Sequence, residues 1–341
     1  MSVYHKGRRT PIRILLTYGV LMPGGCERRM GDIVRWLIDH GDEAWIAANI
    51  PRFDGIKLLV EQCGVPLDRM FFFEDNGGAI RASSMAVWIN KIAERVKANV
   101  VDSQWHPGYE QIEYPCPAVA TLHGIVGAPP PSIFQGVVAV EDRLINGSHY
   151  KHGAAVVWNW VNLRRFPFRE ELGEGICSAG REFKGINVRK ILLHYDKVID
   201  GYGTPAEPDQ EWPITYQWHG FQDLAEVFPR YRVVLASAQT AMEAMAAGRL
   251  VIAGQTPHVN MASVKPAGFL VVPANVETLA QQSFAYCEEE PSALEVWLDC
   301  KHALEHDMLE ERRALRAWVE ERHNIDTQIA KIRDYYQQVA Q

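Results

Sequence analysis

Long apolar segments are missing from this sequence of 341 residues. No run approaches the roughly 20 apolar residues that a helix needs to cross a bilayer. The charged, apolar and small-residue regions of a secretory signal are also missing. We therefore expect a cytoplasmic protein, and peripheral attachment to the inner membrane surface stays open.

Cysteine is scarce and scattered. The six cysteines lie far apart in the chain, and no two of them have the spacing of metal ligands. This distribution disfavours a disulfide-stapled scaffold and a cysteine-based metal site, and it is typical of free thiols in a reducing compartment.

An excess of positive charge is absent as well. The chain has 35 Lys and Arg against 42 Asp and Glu, a net charge of −7, and the two signs balance over residues 1–160. A nucleic-acid partner is therefore not favoured. The composition, 47% hydrophobic and 23% charged, is that of an ordinary globular protein, and the length favours two domains.

Two binding signatures are not found. No G-x-G-x-x-G motif occurs, so a dinucleotide-binding fingerprint is not supported. No carboxylate pair with D-x-D spacing lies in a suitable loop, so a metal held between such a pair and a diphosphate is not indicated.

What the sequence does contain is an alternation of apolar strands and amphipathic helices, which is typical of an α/β protein. It opens with a strand from Ile12 to Leu16, a helix from about Cys26 to Asp39 and a strand from Ala44 to Ala48. Gly24 and Gly25 precede the helix, where residues without Cβ let a ligand approach free N–H groups that favour phosphate. A plain tight turn is the alternative interpretation of this pair.

Histidines follow two further predicted strands. Asn99 to Ser103 leads to His106, and Ala118 to Leu122 leads to His123. Because α/β proteins bind ligands where the carboxyl ends of parallel strands meet, both histidines are expected at one ligand-binding edge. The alternatives are a satisfied buried histidine for His123 and an ordinary loop residue for His106.

The most informative stretch runs from Arg232 to Gln255. A buried strand is followed by the N-cap candidates Ser237 and Thr240, a run of strong helix formers up to Ala247, a glycine stop and a second strand. The helix contains one carboxylate, Glu243, near its amino end. We expect Glu243 to face whatever binds the carboxyl edge of the sheet. A core helix with one solvated glutamate is the alternative.

Later segments extend the α/β pattern. Lys197 to Asp200 is predicted to be a strand, and Gly201 to Gly203 follows it. A further strand is predicted over Gly268 to Val272, then a helix over Val276 to Glu288, and the last predicted helix covers Thr327 to Gln338.

Taken in order, five segments resemble motifs of GT-B glycosyltransferases, in particular the GT4-like group (glycosyl transferases group 1). They are GGCER at 24–28, TLHG at 121–124, NWVNLRRF at 159–166, GREFKG at 180–185 and SAQTAMEAMAAG at 237–248. The resemblance implies an α/β GT-B fold, with two Rossmann-like domains, a cleft between them and a C-terminal helix that returns to the first domain. The implied boundaries are 1–163 for the acceptor-side domain, 164–320 for the nucleotide-sugar-binding domain and 321–341 for the final helix.

The resemblance also implies a function. It is that of a hexosyltransferase moving a sugar from a nucleotide-diphosphate sugar, such as a UDP-sugar, to an unidentified acceptor (a saccharide, a lipid-linked group or another). No cofactor and no metal is implied, since Arg181 and Lys184 would hold the diphosphate and stabilise its developing charge. His123 would position the donor sugar and Glu243 the ribose. The rest of the implied donor site is Gly24, Gly25, Ser237, Gln239 and Thr240.

One departure from the family pattern concerns stereochemistry. Retaining members carry a second glutamate eight positions before the one that Glu243 matches, and Leu235 stands there. Donor-sugar hydroxyls would then be bound by backbone N–H groups near Ala238 to Thr240, or by Gln239. An inverting enzyme would need a base, for which the acceptor-side candidates are His106, Asp102 and Glu141.

Three alternatives stay open at this point. A non-hydrolysing sugar-nucleotide epimerase would share the fold and the ribose glutamate, but several acidic catalytic groups that it needs have no obvious place in this sequence. A catalytically silent GT-B protein would bind a nucleotide or a partner chain without turnover. A nucleic-acid-modifying glycosyltransferase is the third, and the neutral first half argues weakly against it.

Overall fold

The computed structural model describes residues 10–21, 24–73, 82–104, 113–123, 133–140, 153–181, 186–204, 215–254, 265–281, 284–287 and 289–341. The chain divides into two compact units. Unit 1 comprises Met1–Asn159 and Asp326–Gln341, and unit 2 comprises Trp160–Ile325. The first division falls at the start of the predicted 159–166 hinge. The second adds the last helix to unit 1.

In its described residues, unit 1 contains a seven-stranded sheet in which every pairing is parallel. The order is β3-β2-β1-β4-β5-β6-β7. The order reverses between β1 and β4, which makes their carboxyl ends a crevice for ligands. The bounds are β1 Arg13–Leu21, β2 Glu43–Pro51, β3 Met70–Phe72, β4 Val100–Gln104, β5 Ala118–Leu122, β6 Gly136–Ala139 and β7 Ala154–Val156.

Helices pack on this sheet through the apolar faces that their sequences predict. Helix α1, with Met30, Ile33, Val34 and Leu37 buried, covers one part of the core. The bounds are α1 Gly25–Asp39, α2 Phe53–Lys57, α3 Ala82–Val96 and, at the end of the chain, α10 Ile325–Val339.

Buried polar contacts tie α10 to the sheet of unit 1. Arg333 pairs with Asp42 at 2.8 Å, and both side chains are almost fully buried. Tyr335 accepts from the backbone N–H of Val137 at 3.0 Å and donates to the carbonyl of Gly153 at 2.8 Å. The last helix is therefore an integral element of unit 1.

Unit 2 contains a five-stranded parallel sheet in the order β10-β9-β8-β11-β12. Its crevice lies between β8 and β11, where the order reverses. The strands are β8 Ile176–Arg181, β9 Ile199–Thr204, β10 Tyr216–Trp218, β11 Val233–Ala236 and β12 Leu250–Ala253. The predicted class, α/β with two Rossmann-like units, is confirmed.

The helices of unit 2 are shorter on average than those of unit 1. They are α4 Ile186–Leu192, α5 Leu224–Val227, α6 Ala238–Ala246, α7 Val276–Gln281, α8 Ala293–Glu305 and α9 Leu309–Arg322, with a small hairpin of β13 Lys265–Pro266 and β14 Tyr286–Cys287. Across the described ranges, every helix is too short or too polar to span a bilayer.

Three sequence-based expectations in unit 2 were wrong. Gly201 to Gly203 lies inside β9 rather than after it, because the glycines serve close packing: a Cβ at Gly203 would overlap the carbonyl of Gly180. The helix expected over Val276 to Glu288 ends at Gln281. The strand expected over Gly268 to Val272 is limited to a single bridge at Leu270.

Candidate functional site

The carboxyl ends of β4 and β5 bring polar side chains together in unit 1. Gln104, the last residue of β4, pairs in register with Thr121, and His123 directly follows β5. His123 therefore lies at the ligand-binding edge, as its prediction required. His106 and Glu141, the other acceptor-side candidates, lie outside the described residues.

A hydrogen-bonded chain runs from His123 to a buried carboxylate. The Nε2 atom of His123 lies 2.6 Å from Oε1 of Gln104, whose Nε2 donates to Asp102 at 2.7 Å. Thr121 Oγ1 also donates to Asp102 at 2.7 Å, and the hydroxyl of Tyr336 donates to it from α10. We call this set the Asp102 network; it comprises Asp102, Gln104, Thr121, His123 and Tyr336.

Burial shapes the electrostatics of Asp102. The side chain has no exposed surface, and this desolvation raises its pKa to about 6, although the hydrogen bonds from Tyr336 and Thr121 oppose the rise. Both of its oxygens accept hydrogen bonds from protein groups, so the geometry does not support the base role predicted for Asp102.

The network fixes the tautomer of His123. An ionised carboxylate only accepts hydrogen bonds, so the amide nitrogen of Gln104 must face Asp102 and its oxygen must face His123. An amide oxygen also only accepts, so Nε2 of His123 carries the proton. The Nδ1 atom is left as an acceptor, and no other described residue donates to it.

A buried arginine under the site was missed by the sequence analysis. Arg29 of α1 has 1% of its surface exposed and donates to the carbonyl of Val157 at 3.2 Å and to the side chain of Asn159 at 3.2 Å. Burial and this charge lower the pKa of His123 to about 3, so its ring is neutral at physiological pH. The signal was available: Arg29 precedes the buried Ile33 by four positions, on the apolar face of the helix.

Gly24 and Gly25 stand where the sequence places them, at the amino end of α1. Gly24 is the N-cap residue, with extended backbone (φ −170°) that any residue can adopt, and no side chain caps this end. The conformation itself does not require glycine at position 24. Close approach of a ligand to the amino end of α1 remains the interpretation of the pair.

The second cluster lies at the crevice of unit 2. Because Leu235 of β11 pairs with Ser178 of β8, Ser237 and Arg181 lie beyond these positions at the same sheet edge. A cavity of about 10 Å³, room for about one water, is lined there by Ser178, Ser237 and Gly254. Arg181 is the last residue of β8, but its side chain and all of Lys184 lie outside what the structure describes.

The turn into α6 is tight. Ser237 is the N-cap residue, as predicted, but its side chain makes no capping hydrogen bond, and Thr240 lies inside the helix rather than at its cap. Ala238 has φ +51°, a left-handed conformation that is unusual for a residue with a side chain. The first-turn N–H groups have no partner within the helix and form a candidate anion site.

Glu243 is less accessible than its predicted role requires. The side chain is 1% exposed and accepts a 3.2 Å hydrogen bond from Nε2 of Gln239, which is itself buried. A ribose could reach this carboxylate only after a local opening. The ribose role therefore stays a prediction.

Asn187 of α4 is a second residue that the sequence analysis missed. It lines the same cavity, and its Nδ2 donates to the carbonyls of Ala267 at 2.6 Å and Ala253 at 3.3 Å. A Cβ at position 254 would overlap that nitrogen, so Gly254 is required here. Its buried Oδ1 accepts no hydrogen bond from a described residue. The cavity thus offers an acceptor to a hydroxyl or a water.

No family model matches the sequence, and no curated protein matches it. Solved structures do match, over nearly the whole chain. A glycosyltransferase from Rickettsia africae ESF-5 superimposes with a TM-score of 0.69 at 15% identity, covering 97% of this chain and 99% of that one.

Two further structures belong to different enzymes. A point mutant of S. aureus TarM, in complex with fondaparinux, alpha-GlcNAc-glycerol and UDP, gives a TM-score of 0.68 at 9% identity over 95% of this chain and 99% of that one. UDP-GlcNAc 2-epimerase from Neisseria meningitidis, bound to UDP-GlcNAc, gives 0.60 at 11% over 96% and 100%. This chain therefore has the GT-B fold, which glycosyltransferases and sugar-nucleotide epimerases share.

Proposed function

We propose that this protein is a glycosyltransferase that moves a sugar from a nucleoside diphosphate sugar to an acceptor. The observation that carries the proposal is the crevice of unit 2. There Ser178 of β8, Asn187 of α4 and Ser237 line a small cavity at the reversal of strand order, and Ser237 leads into the uncapped first turn of α6. Free N–H groups of this kind bind phosphate oxygens.

Unit 2 would hold the leaving group. Arg181 ends β8 at the crevice, and with Lys184 it would bind the diphosphate and stabilise the charge that develops as the sugar departs. The N–H groups of α6 would add further donors. Glu243 would bind the ribose hydroxyls once its cover opens.

Unit 1 would position the sugar through His123. A neutral imidazole with a pKa of about 3 is a poor base at pH 7, but its free Nδ1 can accept a hydrogen bond from a sugar hydroxyl. His123 is therefore proposed to orient the sugar rather than to remove the acceptor proton.

The mechanism proposed is retaining and independent of metal, as in the GT4-like group. Asp102 is not proposed as the base, because both of its oxygens already accept hydrogen bonds from its network. In a retaining reaction the departing phosphate is the proposed acceptor of the proton that the attacking hydroxyl loses. Within the described ranges, no three His, Cys, Asp or Glu side chains could hold a metal ion. Arg181 and Lys184 would supply the positive charge instead.

UDP-GlcNAc is the first donor to test, because the TarM structure contains UDP, the structure of pneumococcal GtfA contains UDP and GlcNAc, and the epimerase is bound to UDP-GlcNAc. The assay measures UDP released with and without saccharide acceptors, in buffer with and without EDTA, beside GDP- and ADP-sugars. Arg181→Gln should lower kcat/KM at least about tenfold, the effect of losing one strong charged contact. The exposed Arg189→Gln on α4 is the matched control and should keep full activity.

The possible outcomes of this assay distinguish a transferase, an epimerase and a nucleotide-binding protein. Release of UDP with retention at the anomeric carbon supports the full proposal, and inversion overturns the retaining part alone. Interconversion of two UDP-sugars without an acceptor would replace the transferase by an epimerase. Binding without any turnover would leave a nucleotide-binding protein.

A further inference from the structure

We propose that Gln104 is a positioning residue that locks His123 in its neutral, Nε2-protonated form, so that Nδ1 can accept a hydrogen bond from a donor such as a hydroxyl. The identification of that donor as a sugar hydroxyl rests on the proposed function. The fixed tautomer of His123 is a property of the free protein and needs no ligand.

The first step is the saturation of Asp102. Thr121 donates to Oδ1, while Tyr336 donates to Oδ2 together with Gln104. Asp102 and Gln104 are two apart on β4, so their side chains leave the same face of the sheet. Because Asp102, Gln104 and Thr121 are at most 1% exposed, water cannot replace any of these partners.

The second step is the orientation of the Gln104 amide. Reversing it would place an amide oxygen against a carboxylate oxygen at 2.7 Å. In a buried network such a mismatch leaves charged and polar groups without partners, which is expensive. The amide therefore has one stable orientation, which sets the proton on Nε2.

The third step concerns charge. A carboxylate bonded directly to a histidine stabilises the imidazolium form, as in catalytic His–Asp pairs. Here the neutral amide of Gln104 lies between Asp102 and His123. The amide fixes the orientation of the ring, as the carboxylate does in a His–Asp pair, but it gives the ring no anionic partner. Arg29 acts on the same ring with a positive charge, which further disfavours the imidazolium.

The consequence is a restriction on what binds. An imidazolium would attract the diphosphate or an anionic acceptor, whereas a neutral ring that offers only a lone pair at Nδ1 does not. The group that binds to Nδ1 of His123 must donate a hydrogen bond, and a hydroxyl can do so without carrying a charge. Gln104 would thus set specificity without touching the ligand.

The test reads the tautomer directly, by ¹⁵N NMR of the histidine ring in the free protein, with the His123 signals assigned by their loss in His123→Asn. In the wild type we expect protonated Nε2 and unprotonated Nδ1 at pH 8, where Asp102 is ionised, and no titration of His123 between pH 5 and 8. Gln104→Glu should raise the pKa of His123 into that range. Gln104→Met, which removes the acceptor, should abolish the fixed Nε2–H signal, and Gln217→Glu in unit 2 should change nothing.

An Nδ1-protonated ring in the wild type, or a His123 that titrates near its ordinary pKa, overturns the inference. So does a Gln104→Met protein that is folded by circular dichroism and keeps the wild-type tautomer. If Gln104→Glu fails to fold, the tautomers measured in the wild type and in Gln104→Met still test the inference. A correct tautomer in a protein that turns over no nucleotide sugar would instead refute the proposed function and leave the lock standing.

Discussion

Replacing Tyr336 by Phe removes a single hydroxyl from a fully buried contact with a carboxyl group in unit 1. Asp102 has a pKa of about 6, raised by burial, and the Tyr336 hydroxyl is the first of the groups that oppose the rise. A carboxyl whose folded pKa exceeds its ordinary 3.8 binds its proton more tightly when folded. Its ionisation therefore lowers stability as pH rises from about 4 to above 6. Losing the hydroxyl makes this penalty larger.

The magnitude follows from the charge on the acceptor. At pH 8 Asp102 is ionised, and Tyr336→Phe should lower the free energy of unfolding of unit 1 by about 1.5–3 kcal/mol, the value for a hydrogen bond to a charged group. At pH 5 Asp102 is mostly protonated, and the same change should cost about 0.5–1.5 kcal/mol. Urea denaturation at both pH values measures this free energy. Following it through hydrogen exchange of the β4 and β5 amides gives the value for unit 1 separately from that for unit 2.

Tyr335→Phe provides the matched control on the same helix. Among the described residues its hydroxyl hydrogen-bonds to backbone groups alone, those of Val137 and Gly153, so its loss should cost about 1–3 kcal/mol at either pH. The reasoning is refuted if Tyr336→Phe and Tyr335→Phe show the same dependence on pH. In that case Asp102 would not be an ionised group that depends on Tyr336.

Three further predictions concern single residues. Glu243→Ala should weaken the thermal stabilisation of the protein by UDP, by an amount that corresponds to at least about tenfold weaker binding. The control Glu311→Ala, at an exposed position, should keep the wild-type stabilisation. Equal stabilisation in both variants would remove the ribose role of Glu243. Arg333→Met should destabilise unit 1 by about 3–5 kcal/mol in urea titrations, because it leaves Asp42 charged and buried, and a loss below about 1 kcal/mol would contradict this. Ala238→Gly should raise the melting temperature, because glycine relieves the left-handed backbone and should raise the free energy of unfolding by up to about 1 kcal/mol. A lower melting temperature than that of the wild type would show that the conformation is not strained.

The parts of the fold that sequence reasoning predicted well are those set by local physics. Ala118–Leu122 is a buried parallel strand with the expected bounds, and Leu250–Ala253 is the buried strand expected after the glycine stop of the Arg232 to Gln255 stretch. Gly201 to Gly203 shows where this reasoning stops. A glycine pair is equally consistent with a turn and with a close approach, and only the carbonyl of Gly180 across β8 decides between them.

The candidate site was predicted only in part for the same reason. His123 was recognised because it follows a strand, which is a local signal. Its state depends on Gln104 and on Tyr336, whose contact with Asp102 spans 234 positions of the chain. No periodicity or motif reports such a pair. Asp102 therefore looked like a candidate base until its partners were known.

These long-range contacts give the last helix a role beyond packing. Tyr336 completes the saturation of Asp102, Asp102 orients Gln104, and Gln104 sets the proton on His123, so each link depends on the one before it. Unit 1 is assembled from two segments that are distant in the chain. The buried hydrogen bonds of Asp102 are therefore complete only when α10 is packed on the sheet. A histidine that follows β5 is thus linked, through Gln104 and Asp102, to a tyrosine of the last helix.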